Sequence, residues 1–231
     1  MIIDSLKNIL PFTDSKIDSD FKKILKKFPE QYILKSKDIE LLYNAYTLGL
    51  EAHKGQKRKS GENYFTHCIE VCKQLIDWNM DLPTIIAGLL HDTIEDTDIT
   101  YETLSNDFGK DIADLVNQVS KLSGIKYRNT ERRQAENFMK MFLSISKDLR
   151  VIIIKFADRL HNMKTLKFLP KNKQKRIALE TLELYSPLAH RLGMNKIKME
   201  FEDLCFKILN STSFQKIVSE VNSTKKQRQK Y

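Results

Sequence analysis

The chain has 231 residues, 41% of them hydrophobic and 30% charged, with a formal charge of +9. That is an ordinary composition for a folding chain, long enough for one substantial core or two small ones. Seven glycines and five prolines are few for this length, and the long amphipathic stretches between them predict an all-α protein over a turn-rich β architecture. The opening MIIDSLKNILPFTDSK lacks the basic start and apolar run of a signal peptide, and eighteen apolar residues nowhere occur in succession, so no membrane is expected as a partner and a cytoplasmic location is. The positive charge suits an anionic partner. Lys35, Lys37 and the terminal KKQRQK would give the same sign merely by keeping helix surfaces soluble, so charge alone does not choose between nucleic acid, nucleotide and nothing.

The first informative element is KRKSGENYFTHCIEV, residues 57–71. A basic turn around Gly61 leads into His67, Val71 and Leu75 at helical spacing, which puts His67 on an inward face. Alone, such a histidine is more often a satisfied core residue than a ligand. Cys68 and Cys72 lie one turn apart with no CxxC pair and read as reduced core side chains.

AGLLHDTIEDT, residues 87–97, reads as one amphipathic helix with Ile86, Leu90 and Ile94 on one face. His91, Asp92, Glu95 and Asp96 fall opposite, with Gly88 among them. A solvated surface explains such a face cheaply. Against that stand the adjacent imidazole and carboxylate of His91 and Asp92, and the space that Gly88 leaves for another segment or a ligand. If a helix covers this face, its charges must be paired or hold a metal.

In DLRVIIIKFADRLHNMKTL, residues 148–166, the apolar run is compatible with a short strand, but Val151, Ile154, Asp158, Asn162 and Thr165 fit one face of a helix. That face turns polar at Asp158, whose structural alternative to a functional role is a pairing with Arg159 or Arg150. ETLELYSPLAHRLG reads as a helix kinked or broken at Pro187, with His190 structural. The tail from about Asn222 is polar and basic and is expected to fray.

His67, His91, Asp92 and Asp158 together form an H…HD…D set of two nitrogen and two oxygen donors. It suits Mn²⁺, Fe²⁺ or Zn²⁺ better than Ca²⁺ or Mg²⁺. With AHKGQKRKSGENYFTH, GLLHDTIEDT, FGKDIADLVNQVSKL, VIIIKFADRLHNMKTL and ETLELYSPLAHRLGMNKIKMEFEDL in register, the chain closely resembles the hydrolase region of the RelA/SpoT homologues within the HD metal-dependent phosphohydrolases. The likeness runs from about Ile39 to Lys230. It implies an all-α HD-domain bundle, with at most a small β-hairpin near residues 57–65. The expected organisation is an N-terminal helical segment (1–38), the HD hydrolase domain (39–200) and a C-terminal helical extension with a basic tail (201–231).

The resemblance further implies one Mn²⁺ on His67, His91, Asp92 and Asp158. Glu95 and Asp96 are implied as the acid/base pair acting on water, and Arg58, Lys59, Ser60, Tyr64, Asn162 and Thr165 as the nucleotide site. His53 and His161 are expected to support the site without chelating. The sequence departs from the family where Asn63 and Cys68 replace the usual proline, and where Ser120 replaces a frequent threonine. The implied activity is hydrolysis of the 3′-pyrophosphate of ppGpp or pppGpp, with a nucleotide substrate and no nucleic-acid partner. A stand-alone small alarmone hydrolase is expected, with the hydrolase fragment of a bifunctional synthetase/hydrolase as the alternative. Rival functions are an HD phosphohydrolase for an adenine alarmone, NADPH or a deoxynucleotide, and a catalytically silent nucleotide-binding module. Six intact chemical groups argue against silence.

Overall fold

Helix α1 (Ser19–Lys27) begins where the Asp18 carboxylate accepts the backbone N–H of Asp20 at 2.9 Å and the Tyr46 hydroxyl at 2.7 Å. One side chain thus caps α1 and ties it to α2 (Ser36–Ala52). These elements belong to a computed structural model that describes residues 18–123 and 148–228. All regular structure among the described residues is helical. The hairpin allowed near residues 57–65 reduces to a single antiparallel bridge between Lys57 and Asn63.

The chain divides into two compact units between His161 and Asn162. In the first, α3 (Phe65–Asp77) buries His67, Val71 and Leu75 together with Cys68 and Cys72. Burial raises both thiols, Cys72 up to about 12, and all three cysteines of the chain are free and buried. Helix α4 (Leu82–Leu89) starts with Pro83 near its N-terminus, where no N–H is missed. It is covered from Thr84 to Leu89 and packs on α2, α3 and α7 (Lys110–Ser123). A side chain on Gly88 would meet Leu75 Cδ1 at 2.1 Å, so the space that this glycine leaves is taken by α3, and Gly88 belongs to the apolar face.

The single helix expected over residues 87–97 is interrupted. After α4, Leu90 caps and His91–Asp92 form a turn, and a short α5 (Thr93–Asp96) restarts the helix. The reason is local: His91 Nδ1 folds back on the Gly88 carbonyl at 2.9 Å, and the Thr93 hydroxyl donates to the Leu90 carbonyl at 2.7 Å. Side chains thereby satisfy the end of α4 in place of helical N–H groups. Helix α6 (Tyr101–Phe108) follows, capped by Thr100 and packed on α7.

Residues 149–164 form helix α8 (Leu149–Lys164), with no strand. Its start is fixed by Arg150, whose guanidinium donates to Asp148 at 2.7 Å and to Asp111 of α7 at 2.7 Å, with Asp81 at 3.4 Å.

The second unit holds a 3₁₀ turn (Leu166–Phe168), α9 (Lys171–Glu180), α10 (Ser186–Arg191), α11 (Asn195–Leu209) and α12 (Ser211–Arg228). Its core gathers Met163, Leu166, Ala178 and Cys205. Between α9 and α10 the backbone makes a π turn (Thr181–Tyr185), with the Ser186 N–H reaching the Thr181 carbonyl. Pro187 lacks the N–H that the Glu183 carbonyl would take in a regular helix, and the wide turn absorbs that mismatch. The tail is helical through Arg228, past Asn222, where fraying was expected; residues 229–231 lie outside the described residues. Lys, Gln and Arg are good helix formers.

Candidate metal centre

Helix α3 supplies His67, the turn after α4 supplies His91 and Asp92, and α8 supplies Asp158, all buried. His67 Nε2 lies 3.2 Å from Asp158 Oδ1 and 3.9 Å from Asp92 Oδ2. His91 Nε2 lies 3.1 Å from Asp92 Oδ1 and 3.9 Å from Asp158 Oδ1. Single donor atoms of His67, His91 and Asp158 all fall within 4.8 Å of one another.

The hydrogen bonds around this cluster decide which ring nitrogens are bare. His91 Nδ1 donates to the Gly88 carbonyl, which leaves Nε2 as the lone-pair nitrogen. That atom is fully buried and makes no hydrogen bond, and a buried orphan of this kind is costly unless a ligand completes it. For His67 the chain of reasoning is longer. Arg58 Nη1 lies 2.9 Å from His161 Nδ1, and a guanidinium can only donate. His161 Nδ1 is therefore an acceptor, so His67 Nδ1, 2.7 Å away, donates to it. His67 Nε2 is thereby turned toward Asp158 Oδ1, 3.2 Å away. Two imidazole Nε2 atoms and two carboxylates, converging in one buried cluster, fit a divalent transition metal.

Burial and mutual charge act in opposition across the cluster. Burial pushes the His67 imidazole below its usual range. Burial also pushes His91 down, but Asp92 and Asp158 outweigh it and hold that ring above its ordinary value. Burial raises both carboxyls, yet His91 and His67 hold Asp92 well below the carboxylate range, and Lys155 with the two histidines does the same for Asp158. The Lys155 ammonium, itself buried, sits 2.6 Å from Asp158 Oδ2. Asp158 thus has a lysine one turn earlier on α8 as its cationic neighbour, while Arg150, one alternative suggested by the sequence, is engaged by Asp148 and Asp111.

Glu95 and Asp96 are exposed on α5, one turn beyond Asp92. The Tyr64 hydroxyl lies 2.8 Å from Asp92 Oδ2 and 2.9 Å from Asp96 Oδ2, linking the donor cluster to the acidic pair. Burial and these carboxylates push the phenol far above its usual value, so it stays a donor. His53 stacks on Tyr64 at 4.9 Å and contacts Gln56, whose amide donates to the Asp96 carbonyl at 2.9 Å. Sequence reasoning missed Lys155 and Gln56. The spacing of Lys155, three residues before Asp158 on one helix, was the available signal.

In the basic turn, Gly61 takes φ of +88°, Ser60 bonds Glu62 at 2.9 Å and Lys59 is exposed. Arg58 is directed to His161. Asn162 and Thr165 lie in the second unit, where the Thr165 hydroxyl donates to the Asn162 carbonyl at 3.3 Å. His190 is exposed beside Asn195 in that unit. No helix among the described residues is long and apolar enough to cross a membrane.

Comparison with known proteins gives consistent results. The HD domain family matches residues 45–195. The bifunctional (p)ppGpp synthase/hydrolase SpoT of Escherichia coli (strain K12) is 48% identical over 191 residues, covering 83% of this chain and 27% of the relative. The guanosine-3′,5′-bis(diphosphate) 3′-pyrophosphohydrolase of Aquifex aeolicus is 43% identical over 215 residues, covering 93% of this chain and 30% of the relative. The chain thus spans less than a third of the length of these curated relatives. A solved structure described as a metazoan ortholog of SpoT that hydrolyses ppGpp superposes with a TM-score of 0.57 at 24% identity, over 76% of this chain and 97% of that one. It shares the all-α fold. HD-domain hydrolases are metal-dependent, and the His/Asp cluster of this chain is able to hold an ion. With the match running through α3, α4 and α8, and with relatives of the RelA/SpoT type, the chain belongs to the HD domain family.

Proposed function

We propose that this chain hydrolyses the 3′-pyrophosphate of (p)ppGpp in a Mn²⁺-dependent reaction. The observation that carries the reading is the buried His/Asp donor cluster, with His91 Nε2 lacking a hydrogen bond, set beside an exposed acidic pair. Relatives that are 43–48% identical bear the names of enzymes of this chemistry. His67, His91, Asp92 and Asp158 would hold the ion, which when bound polarises a phosphoryl oxygen and lowers the pKa of water. Glu95 and Asp96 accept the proton of the attacking water, and the Tyr64 hydroxyl keeps Asp96 aligned with the donor cluster. Arg58 and Lys59 offset phosphate charge, and Ser60 supplies a hydroxyl in the same turn. Water adds to the phosphorus on the ribose 3′ oxygen, the phosphorus–oxygen bond breaks, and the proton taken from water returns to the 3′ oxygen, leaving pyrophosphate and GDP or GTP with a free 3′ hydroxyl.

The test is incubation with Mn²⁺ and a panel of pyrophosphorylated nucleotides, with products separated by ion exchange. Release of pyrophosphate from ppGpp with GDP in equal amount is the expected result. Turnover only of an adenine alarmone, NADPH or a deoxynucleotide would replace the substrate and keep the chemistry, and absence of any turnover with metal bound would leave a binding module.

A further inference from the structure

The donor cluster has a neighbour that the proposed reaction does not use. Cys68 follows His67 on α3 and is fully buried. Its sulfur, one ring nitrogen of His91 and one carboxylate oxygen of Asp92 all lie within 4.8 Å of one another. His91 Nε2 makes no hydrogen bond, although it is buried and Asp92 Oδ1 is 3.1 Å away. A thiol outside any disulfide, a ring nitrogen of His91 and a carboxylate are therefore gathered inside the protein, and the His91 ring carries a buried Nε2 with no hydrogen bond.

We propose that Cys68, His91 and Asp92 form a second, sulfur-containing metal position that takes thiophilic divalent ions such as Zn²⁺, Cd²⁺ or Co²⁺. This rests on the reading of the cluster as a metal centre and extends it. Mn²⁺ is satisfied by nitrogen and oxygen donors and gains little from sulfur, whereas zinc and cadmium gain much. Zinc bonds of ~2.3 Å to sulfur and ~2.0–2.1 Å to imidazole nitrogen ask the three donors, now within 4.8 Å of one another, to close by about an ångström at most. On binding, the sulfur–hydrogen bond is exchanged for a sulfur–metal bond and the proton leaves to solvent. Because His91 serves both positions, the two ions exclude each other. The same centre then holds manganese through His67, His91, Asp92 and Asp158 or a softer ion through Cys68, His91 and Asp92, with His91 and Asp92 common to both.

The test is spectroscopic. Co²⁺ is titrated into the metal-free full chain while the near-ultraviolet sulfur-to-cobalt charge-transfer band is followed, in wild type and in Cys68→Ser, Cys68→Ala, Cys72→Ser and Cys205→Ser. The band is expected in wild type, absent from both Cys68 variants and kept in the other two, and added Zn²⁺ should abolish it. By calorimetry, Zn²⁺ affinity should fall about tenfold or more in the Cys68 variants while Mn²⁺ affinity changes less than about threefold. Wild-type protein that binds Co²⁺ without the band, or Zn²⁺ affinity indifferent to Cys68, overturns the proposal and leaves the manganese reading standing. Absence of any Mn²⁺ or Co²⁺ binding overturns both. The wild-type spectrum alone decides the matter should neither Cys68 variant fold.

Discussion

Lys155 and Asp158 form an ion pair of 2.6 Å in which both side chains are about nine-tenths covered. The lysine takes Oδ2, and Oδ1 is the oxygen that faces His67 and His91. Removing the lysine leaves a carboxylate buried beside imidazoles, a loss of about 3–5 kcal/mol for such pairs. Lys155→Met is expected to melt well below wild type without metal, and to regain more stability from Mn²⁺ than wild type does, because the ion replaces the missing cation. Melting temperatures of both proteins with and without Mn²⁺ check this. Equal gains would mean that the lysine and the ion do not share Asp158.

Asp158→Asn is expected to lose Mn²⁺ affinity by roughly a hundredfold and hydrolysis with it, since a neutral amide is a poor donor. Metal content by elemental analysis and pyrophosphate release should fall together. Retention of both at wild-type levels would reduce Asp158 to the partner of Lys155.

Glu95→Gln and Asp96→Asn should separate metal from rate. Both side chains are exposed and lie beyond the donor cluster, so metal content stays while turnover falls by about a hundredfold or more for a true acid/base group. A variant that loses its ion would move that residue among the ligands.

Arg58 has two tasks to distinguish. If it holds the nucleotide, Arg58→Ala raises KM for ppGpp more than it lowers kcat. Through His161 it also fixes the ring of His67, so Mn²⁺ affinity should drop about tenfold in the same variant. Arg58→Lys, which returns charge but not the planar fork, should restore little of either. Unchanged KM and unchanged metal affinity would make Arg58 a bystander.

Arg150 offers a stability test away from the centre. Its guanidinium beside Asp148 holds that carboxyl below its ordinary value of 3.8. A depressed carboxyl stabilises the fold above its unfolded value, and that contribution is lost as pH falls through the folded one. Arg150→Met should therefore melt lower than wild type near neutral pH, with the gap narrowing as pH falls below the ordinary aspartate range. A gap independent of pH would point to packing alone.

The helical class was legible because amphipathic periodicity survives translation into structure: His67, Val71 and Leu75 are inward as their spacing requires. The donor cluster was legible for the same reason, each member lying where an apolar stripe meets polar residues. The break at His91 was not, since wheel geometry assumes that a helix continues until a proline or glycine stops it. Here an imidazole bonding backward ended it. Lys155 was hidden among isoleucines, where a lone lysine reads as an intruder until Asp158 is seen beside it. The role of Gly88 depended on a partner helix whose identity no local pattern encodes.

That glycine carries one more consequence. Leu75 fills the place where a side chain of Gly88 would stand, while the Gly88 carbonyl holds the ring of His91. The seating of a leucine between two helices and the aim of an imidazole at a metal are thus one event. The ordering of that donor is accomplished during folding, before any ion arrives, so less conformational entropy remains to be lost when an ion binds. Any affinity of this cluster for an ion is then partly a property of core packing: a change at position 75, outside the donor set, should be felt by His91.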